Sequence, residues 1–319
     1  MTYGSRVYWI VCYIISSIPA LGALTFGLIL ALIVVLTLPA CAPLQPATAS
    51  QSVPSDGTPT EVIPARLQAL LSAEVPTHVI LLGEQHDNPD HQRIERDVVA
   101  ALAAQGRLAA LVIEMAGQGQ STAPHQPFAT PTEIKAALQW DDKAWSWDAY
   151  APVIMAAVKA GVAVVGANLP RAQMRGAMAD AALDARLDAA ALQSQRDSIR
   201  EGHCGLLPES QIGPMTRVQI ARDVAMATVA VQLVKKADAP AALPRYVLLI
   251  AGNGHVDAAL GVSRHWPAGV ASKSVLLGSP ADANRSSPDG QPPGFDAVWP
   301  TQSIPPKDYC AELKKSMGR

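Results

Sequence analysis

"HVILLGEQHDNPDHQRIERDVVAALAAQG", residues 78–106, changes its periodicity halfway. From Val79 to Leu82 every side chain is aliphatic, a run too short for a buried helix and of the right length for a strand covered on both faces. Asn88 and Pro89 then form a helix start, an amide to cap the first turn and a proline at the first helical position, and Ile94, Val98, Val99 and Leu102 recur at helical spacing up to Gly106. A buried strand feeding an amphipathic helix is the first half of a βαβ unit. The pattern repeats downstream. Strands are predicted over 108–115 ("LAALVIEM"), 162–168, 245–252 and 272–278, and helices over 130–138, where Thr130, Pro131 and Glu133 have capping-box spacing, and over "YAPVIMAAVKAG". The fold class is therefore α/β: a mostly parallel central sheet flanked by helices. Residues 171–237 contain no convincing strand and read as an inserted all-helical subdomain, an Ala-rich helix over 171–201, the loop "GHCGLLPES", and a long helix from about Met215 to Lys236. The Pro- and Gly-rich stretch 279–306 is expected to be surface loop with an edge strand at "FDAVW", ahead of a tail over 307–319.

The 319 residues, 49% of them hydrophobic, suffice for one large domain, placed at 61–306. A net charge of −2 with no basic stripe excludes nucleic acid as a partner. Residues 1–41 differ from the rest: after Arg6 the span to Cys41 carries no charge, and it ends in "LIVVLTLPAC". That ending resembles the lipobox of bacterial lipoproteins, with Cys41 as the lipidated first residue of the mature chain, although Pro39 departs from the usual small residue. The other reading is an uncleaved anchor helix, for which the span is long enough, and the extra length also fits a start codon further downstream. Both readings tether an exported domain to a membrane. Ala42, in place of an aspartate after the cysteine, favours the outer membrane. Residues 42–60, rich in Pro, Ser, Thr and Ala, are expected to be a flexible linker. Cys204 and Cys310 are the cysteines of the folded part; a disulfide between them is permitted in an oxidising compartment, but two free thiols are expected.

Right-handed crossovers bring the carboxyl ends of parallel strands to one edge of the sheet, where α/β proteins bind ligands. The first strand is followed by Gly83-Glu84-Gln85-His86, the second ends at Glu114, the third is followed by Asn168-Leu169-Pro170-Arg171, and the fourth by Gly252-Asn253-Gly254-His255. The opposite ends offer His78, Arg107 and Arg245 and no carboxylate. Taken singly, Glu84 could cap a helix, His86 and His255 could be solvated turn residues, and Glu114 could pair structurally with Arg171. Their common location points to a site. His91, on the first helix, is expected at the surface.

The ordered motifs "LLGEQHDNPDHQ", "VIEM", "WDAYAPVI", "VVGANLPR", "GHCGLLPE", "QIARDVAMA" and "IAGNGHV" resemble the ChaN family of haem-binding lipoproteins in the Tiki/TraB-like superfamily. The resemblance implies an α/β domain with a helical subdomain, two Gly-x-x-His motifs here ending at His86 and His255, and a role in haem or iron acquisition. A haem site needs apolar or aromatic walls, an axial ligand and cations for the propionates. "WDDKAWSWDAY" offers Trp147 and its neighbours as a wall and Tyr150 as the phenolate candidate, with His203 second and Arg171 or Lys143 for a propionate; whether haem is shared by a homodimer is open. The alternative is a metal-dependent hydrolase in which His86, His255 and Glu84 hold a divalent metal, Glu84 or Glu114 acts as base and Arg171 stabilises anionic charge.

Overall fold

The computed structural model describes residues 59–72, 76–125, 127–237, 243–278, 294–305 and 307–316. The apolar span, Cys41 and all but the last two residues of the expected linker lie outside them. Six strands, β1 (Val79–Glu84), β2 (Leu108–Gly117), β3 (Val164–Asn168), β4 (Tyr246–Gly252), β5 (Ser272–Gly278) and β6 (Ala297–Pro300), form one sheet in the order β3-β2-β4-β1-β5-β6, and every pair is parallel. The alternation within β1 explains why it reads as one continuous apolar run. Ile80 and Leu82 enter one core cluster and Val79 and Leu81 another, on the opposite face of the sheet.

On the first face lie α1 (Pro59–Leu71), α2 (Pro89–Ala104) and α4 (Trp147–Lys159), the last preceded by the short α3 (Pro131–Ala137). Asn88 caps α2 by accepting from the Asp90 amide at 3.0 Å, and Thr130 and Glu133 form a reciprocal capping box on α3. On the second face α7 (Glu209–Ala237) packs against β2, β3 and β4, with Met226, Ala227 and Ala230 in the core cluster there. A third layer, α5 (Arg171–Ala179), a 3-10 turn (Ala181–Arg186) and α6 (Ala189–Gly202), rests on the outer part of α7.

The single helix expected over 171–201 is thus broken in two. Asp180 accepts from the Ala182 amide and Asp188 from the Ala191 amide, so each aspartate starts a new helical segment inside a uniformly Ala-rich stretch. The long helix starts at Glu209 rather than at Met215, with Pro214 held inside it. Two further helices, α8 (Asn253–Val256) and α9 (Tyr309–Ser316), complete the description, α9 giving the tail a structure of its own. Cys204 and Cys310 form a disulfide, which corrects the expectation of two free thiols: their Cα atoms, 106 residues apart in sequence, stand 5.7 Å apart.

Candidate functional site

β1 and β4 are neighbours at the centre of the sheet, with Glu84 in register with Gly252, so the two Gly-x-x-His motifs leave the same edge side by side. They fit by mutual omission of side chains. A Cβ on Gly83 would stand 3.1 Å from Asn253 Cα and 3.2 Å from Val256 Cβ, and one on Gly252 would stand 2.8 Å from His86 Nε2. Each glycine therefore makes room for the other motif. Gly252 itself has φ −54° and ψ 146°, open to any residue, so it is required for space and not for its backbone conformation.

The ionisable groups form one continuous line. Glu84 accepts from the Tyr150 hydroxyl (2.8 Å) and from Gln92 Nε2 (3.0 Å), and meets His86 Nδ1 at 2.9 Å. His86 Nε2 faces Glu114 at 3.7 Å, and Glu114 reaches His255 Nε2 at 3.4 Å while accepting from the Gly252 amide at 2.9 Å. His255 Nδ1 closes the line on Asp223 at 2.6 Å. Burial opposes ionisation of Glu114, but His255, His86 and the Gly252 amide outweigh it and hold the carboxyl well below its ordinary range. Burial likewise opposes the His255 charge, and Glu114 and then Asp223 override it, pushing the imidazole up to about 10. For Asp223 burial wins over His255, and its pKa is pushed up to about 6. His86 is also raised: the Glu84 hydrogen bond and the Glu114 and Glu84 charges exceed its desolvation. Glu95, fully buried on α2, is held well above the carboxylate range by burial and by the charge of Glu84, which favours its neutral form.

Above this line opens a cleft of about 1710 Å³. Glu84, Glu114, Arg171, His86 and His255 all line it, although Glu114 and Arg171 do not pair: the Arg171 guanidinium, with 76% of its side chain exposed, binds Asp141 at 2.8 Å. The remaining expected residues lie elsewhere. Tyr150 is 2% exposed and is not among the residues lining this cleft, its hydroxyl lying behind Glu84; burial and the Glu84 charge raise its pKa above the ordinary phenol value, which opposes the phenolate role. Trp147 packs edge-on against Trp140, with ring centroids 5.1 Å apart, in the core beneath. Of that aromatic group Trp145 reaches the cleft wall, its ring 4.6 Å from His86. His203 caps the end of α6 with Nδ1 on its own Ile199 carbonyl (2.8 Å), and Lys143 is exposed outside the cleft lining.

The two-His, one-carboxylate set does not assemble as expected. Glu84 contacts the far nitrogen of His86 and turns from His255, whose own two nitrogens face Asp223 and Glu114. Among the described residues no group of three or more His, Cys, Asp or Glu side chains has the geometry to hold a metal ion. His91 is buried, not surface: Nδ1 accepts from the Gln85 amide at 2.9 Å, and Nε2 meets Thr301 Oγ1 at 3.1 Å, which ties the turn carrying His86 to the chain beyond β6.

Sequence reasoning missed Asp223, Arg222, Lys307 and Tyr309. Asp223 carried a signal, since it sits three residues after Ile220 and four before Ala227 in the buried stripe of α7, where a carboxylate requires a partner. Arg222, beside it, lines the cleft with a buried Nε that has no hydrogen-bond partner. Tyr309 and Lys307 lie in the tail and reach the cleft only through the tertiary fold.

A haem-binding uptake family, described as Tiki superfamily, ChaN, matches residues 71–265. Among solved structures, ChaN of Campylobacter jejuni, described with cofacially bound haem, shares 22% identity with a TM-score of 0.53 over 67% of this chain and 84% of its own. The type III effector HopBA1 shares 13% identity with a TM-score of 0.37 over 70% and 88%. No curated protein matches. The family match spans more than half of the sequence and takes in both the β1 turn and the β4 turn, so the chain belongs to the ChaN family of the Tiki superfamily.

Proposed function

We propose that this protein binds haem in the cleft at the carboxyl edge of the sheet, as a membrane-anchored exported protein serving haem or iron acquisition. The observation that carries the proposal is the presentation of His86. Its Nδ1 is fixed by a buried carboxylate, Glu84, while Nε2 points to the cleft with 34% of the side chain exposed. A carboxylate on the far nitrogen is the usual support of an imidazole that ligates a metal, because it sets the ring's orientation and strengthens the donor.

The rest of the cleft fits a flat apolar macrocycle with two acidic arms. Its volume exceeds the ~300–1,000 Å³ of ordinary ligand sites. Trp145, Met174, Leu169 and Phe295 supply apolar wall, and Arg171, Arg222 and Lys307 supply cations suited to propionates. Tyr309 Oη is a second donor at the rim. Haem, when bound, would supply the iron; the chain's part is to orient a donor and match the carboxylates. The Cys204–Cys310 disulfide supports an oxidising compartment such as the periplasm. An anchored location rests on the N-terminal apolar span and Cys41.

Titration of the full-length protein in detergent with haemin should give a saturable Soret band. His86→Ala is expected to weaken binding at least tenfold. Tyr150→Phe, which removes one donor to Glu84 and keeps the Glu84–His86 contact, should retain the band with a far smaller loss of affinity than His86→Ala. Absence of a saturable band in the unmodified protein would overturn the proposal, and loss of the band in Tyr150→Phe alone would move the ligand to the inner residue. A saturation point of one haem per two chains would indicate sharing between copies.

A further inference from the structure

We propose that the Cys204–Cys310 disulfide is a redox-released clasp that controls access to the cleft. This rests on the haem reading only for the identity of the ligand, since the clasp acts on the cleft whatever fills it. The arm it holds, residues 307–316, lies across the rim beside His86. Tyr309 Oη accepts from Gln85 Nε2 at 2.7 Å and donates to Asp87 at 3.0 Å, and Lys307 Nζ is 3.6 Å from the same Asp87 carboxylate. Gln85 and Asp87 flank His86 on either side. Lys307 and Tyr309 line the cleft, and so do Ser198, Glu201 and Gly202 of α6. The disulfide therefore joins two cleft-lining elements at their exposed end, the turn after α6 and the arm.

Apart from the Tyr309 hydrogen bonds, the arm's described polar contacts lie at the surface. Every residue from Lys307 to Glu312 is exposed, and no described side chain of the arm is buried. Its ion pairs, Lys307 with Asp87 and with Glu312, involve groups roughly half exposed, where solvent leaves such pairs weak. The helix Tyr309–Ser316 has 8 residues, and helices of that length do not persist unless something docks them. The disulfide is the arm's covalent tether to the turn after α6. At its other end Cys204 occupies the left-handed region (φ 56°), a conformation unfavourable for a residue with a Cβ, which the bond helps to hold.

Release requires a dithiol reductant. One thiolate attacks a cysteine Sγ, the S–S bond breaks, and its electron pair leaves on the other Sγ, which takes up a proton. The reductant's second thiol then displaces the first mixed bond. Two electrons pass to the protein, leaving two cysteine thiols and the reductant as its own disulfide. Cys310 is exposed and Cys204 half-buried, so the bond is open to such attack.

The test compares the oxidised protein with the double variant Cys204→Ser/Cys310→Ser, which lacks the clasp without adding thiol to haem. In the first arm the ligand-free proteins are treated with diethylpyrocarbonate and the carbethoxylation of His86 is followed by mass spectrometry. The variant should react at least threefold faster, and equal rates overturn the clasp. In the second arm haemin-loaded proteins transfer haem to excess apomyoglobin. Transfer should be about tenfold faster from the variant, and unchanged transfer rates overturn the clasp as a ligand gate. If wild type binds no haemin, the haem reading fails while the first arm still decides the clasp.

Discussion

Glu114→Ala is expected to cost ~3–5 kcal/mol of folding stability, the range for removing one partner of a buried ionic cluster. In a domain of this size that lowers the melting temperature by roughly 10 °C. The reason lies in the line of charges. Glu114 is the carboxylate shared by His86 and His255 and the acceptor of the Gly252 amide, so alanine takes one of two facing carboxylates from each imidazole and leaves a buried N–H without its acceptor. Glu114→Gln keeps an acceptor for the amide and is expected to lose about half as much.

The loss carries a pH signature whose sign follows from His255. Its folded pKa of about 10 lies above the ordinary 6.5, so the folded state binds the proton more tightly than the unfolded chain does. That contribution is complete below about pH 6.5 and fades as the pH rises through 10, amounting to at most ~5 kcal/mol at 1.36 kcal/mol per pKa unit. Asp223, at about 6, is already ionised across this window and does not reverse the slope. Urea midpoints of the wild type should therefore fall between pH 7 and pH 10, and those of Glu114→Ala should fall much less. Parallel curves would show that Glu114 does not carry the His255 charge.

Gly252→Ala is expected to do the opposite, sparing stability and removing binding. The added methyl would stand 2.8 Å from His86 Nε2 and 3.3 Å from its Cε1. The obstacle is the end of a partly exposed side chain, which can swing outward, so the expected stability cost is below ~1 kcal/mol. His86 then leaves its bond with Glu84 and its position in the cleft, and haemin affinity should drop at least tenfold by Soret titration. Gly213→Ala, on α7 outside the cleft lining, where an added Cβ meets nothing within 4 Å, serves as the control and should bind as wild type. Equal affinity in both variants would remove His86 from the site.

What the sequence discloses here follows physical lines. The strands were legible because both faces of the central ones are buried, and the edge of the sheet was legible because parallel topology leaves little choice about where strand ends collect. Caps at Asn88 and Thr130 were readable since capping is local chemistry. The partner of Tyr150 was not legible, because its helix position does not reveal that the hydroxyl meets Glu84 once α4 docks on α2. Asp223, Tyr309 and the disulfide depend on contacts between segments 32 to 224 residues apart, which no local pattern encodes.

The reciprocal glycines at the ends of β1 and β4 bear on strand alignment. Both faces of these strands are aliphatic, so a one-residue slip of β1 against β4 would still bury valine and leucine, and the oil-like interior alone discriminates weakly against it. The notches discriminate sharply, because a one-residue shift would put leucine or glutamate in place of Gly83, or alanine or asparagine in place of Gly252, against the facing turn. These paired gaps therefore act as a lock and key for registration during folding, and a ligand-competent cleft reports that the strands have been zipped in the correct frame.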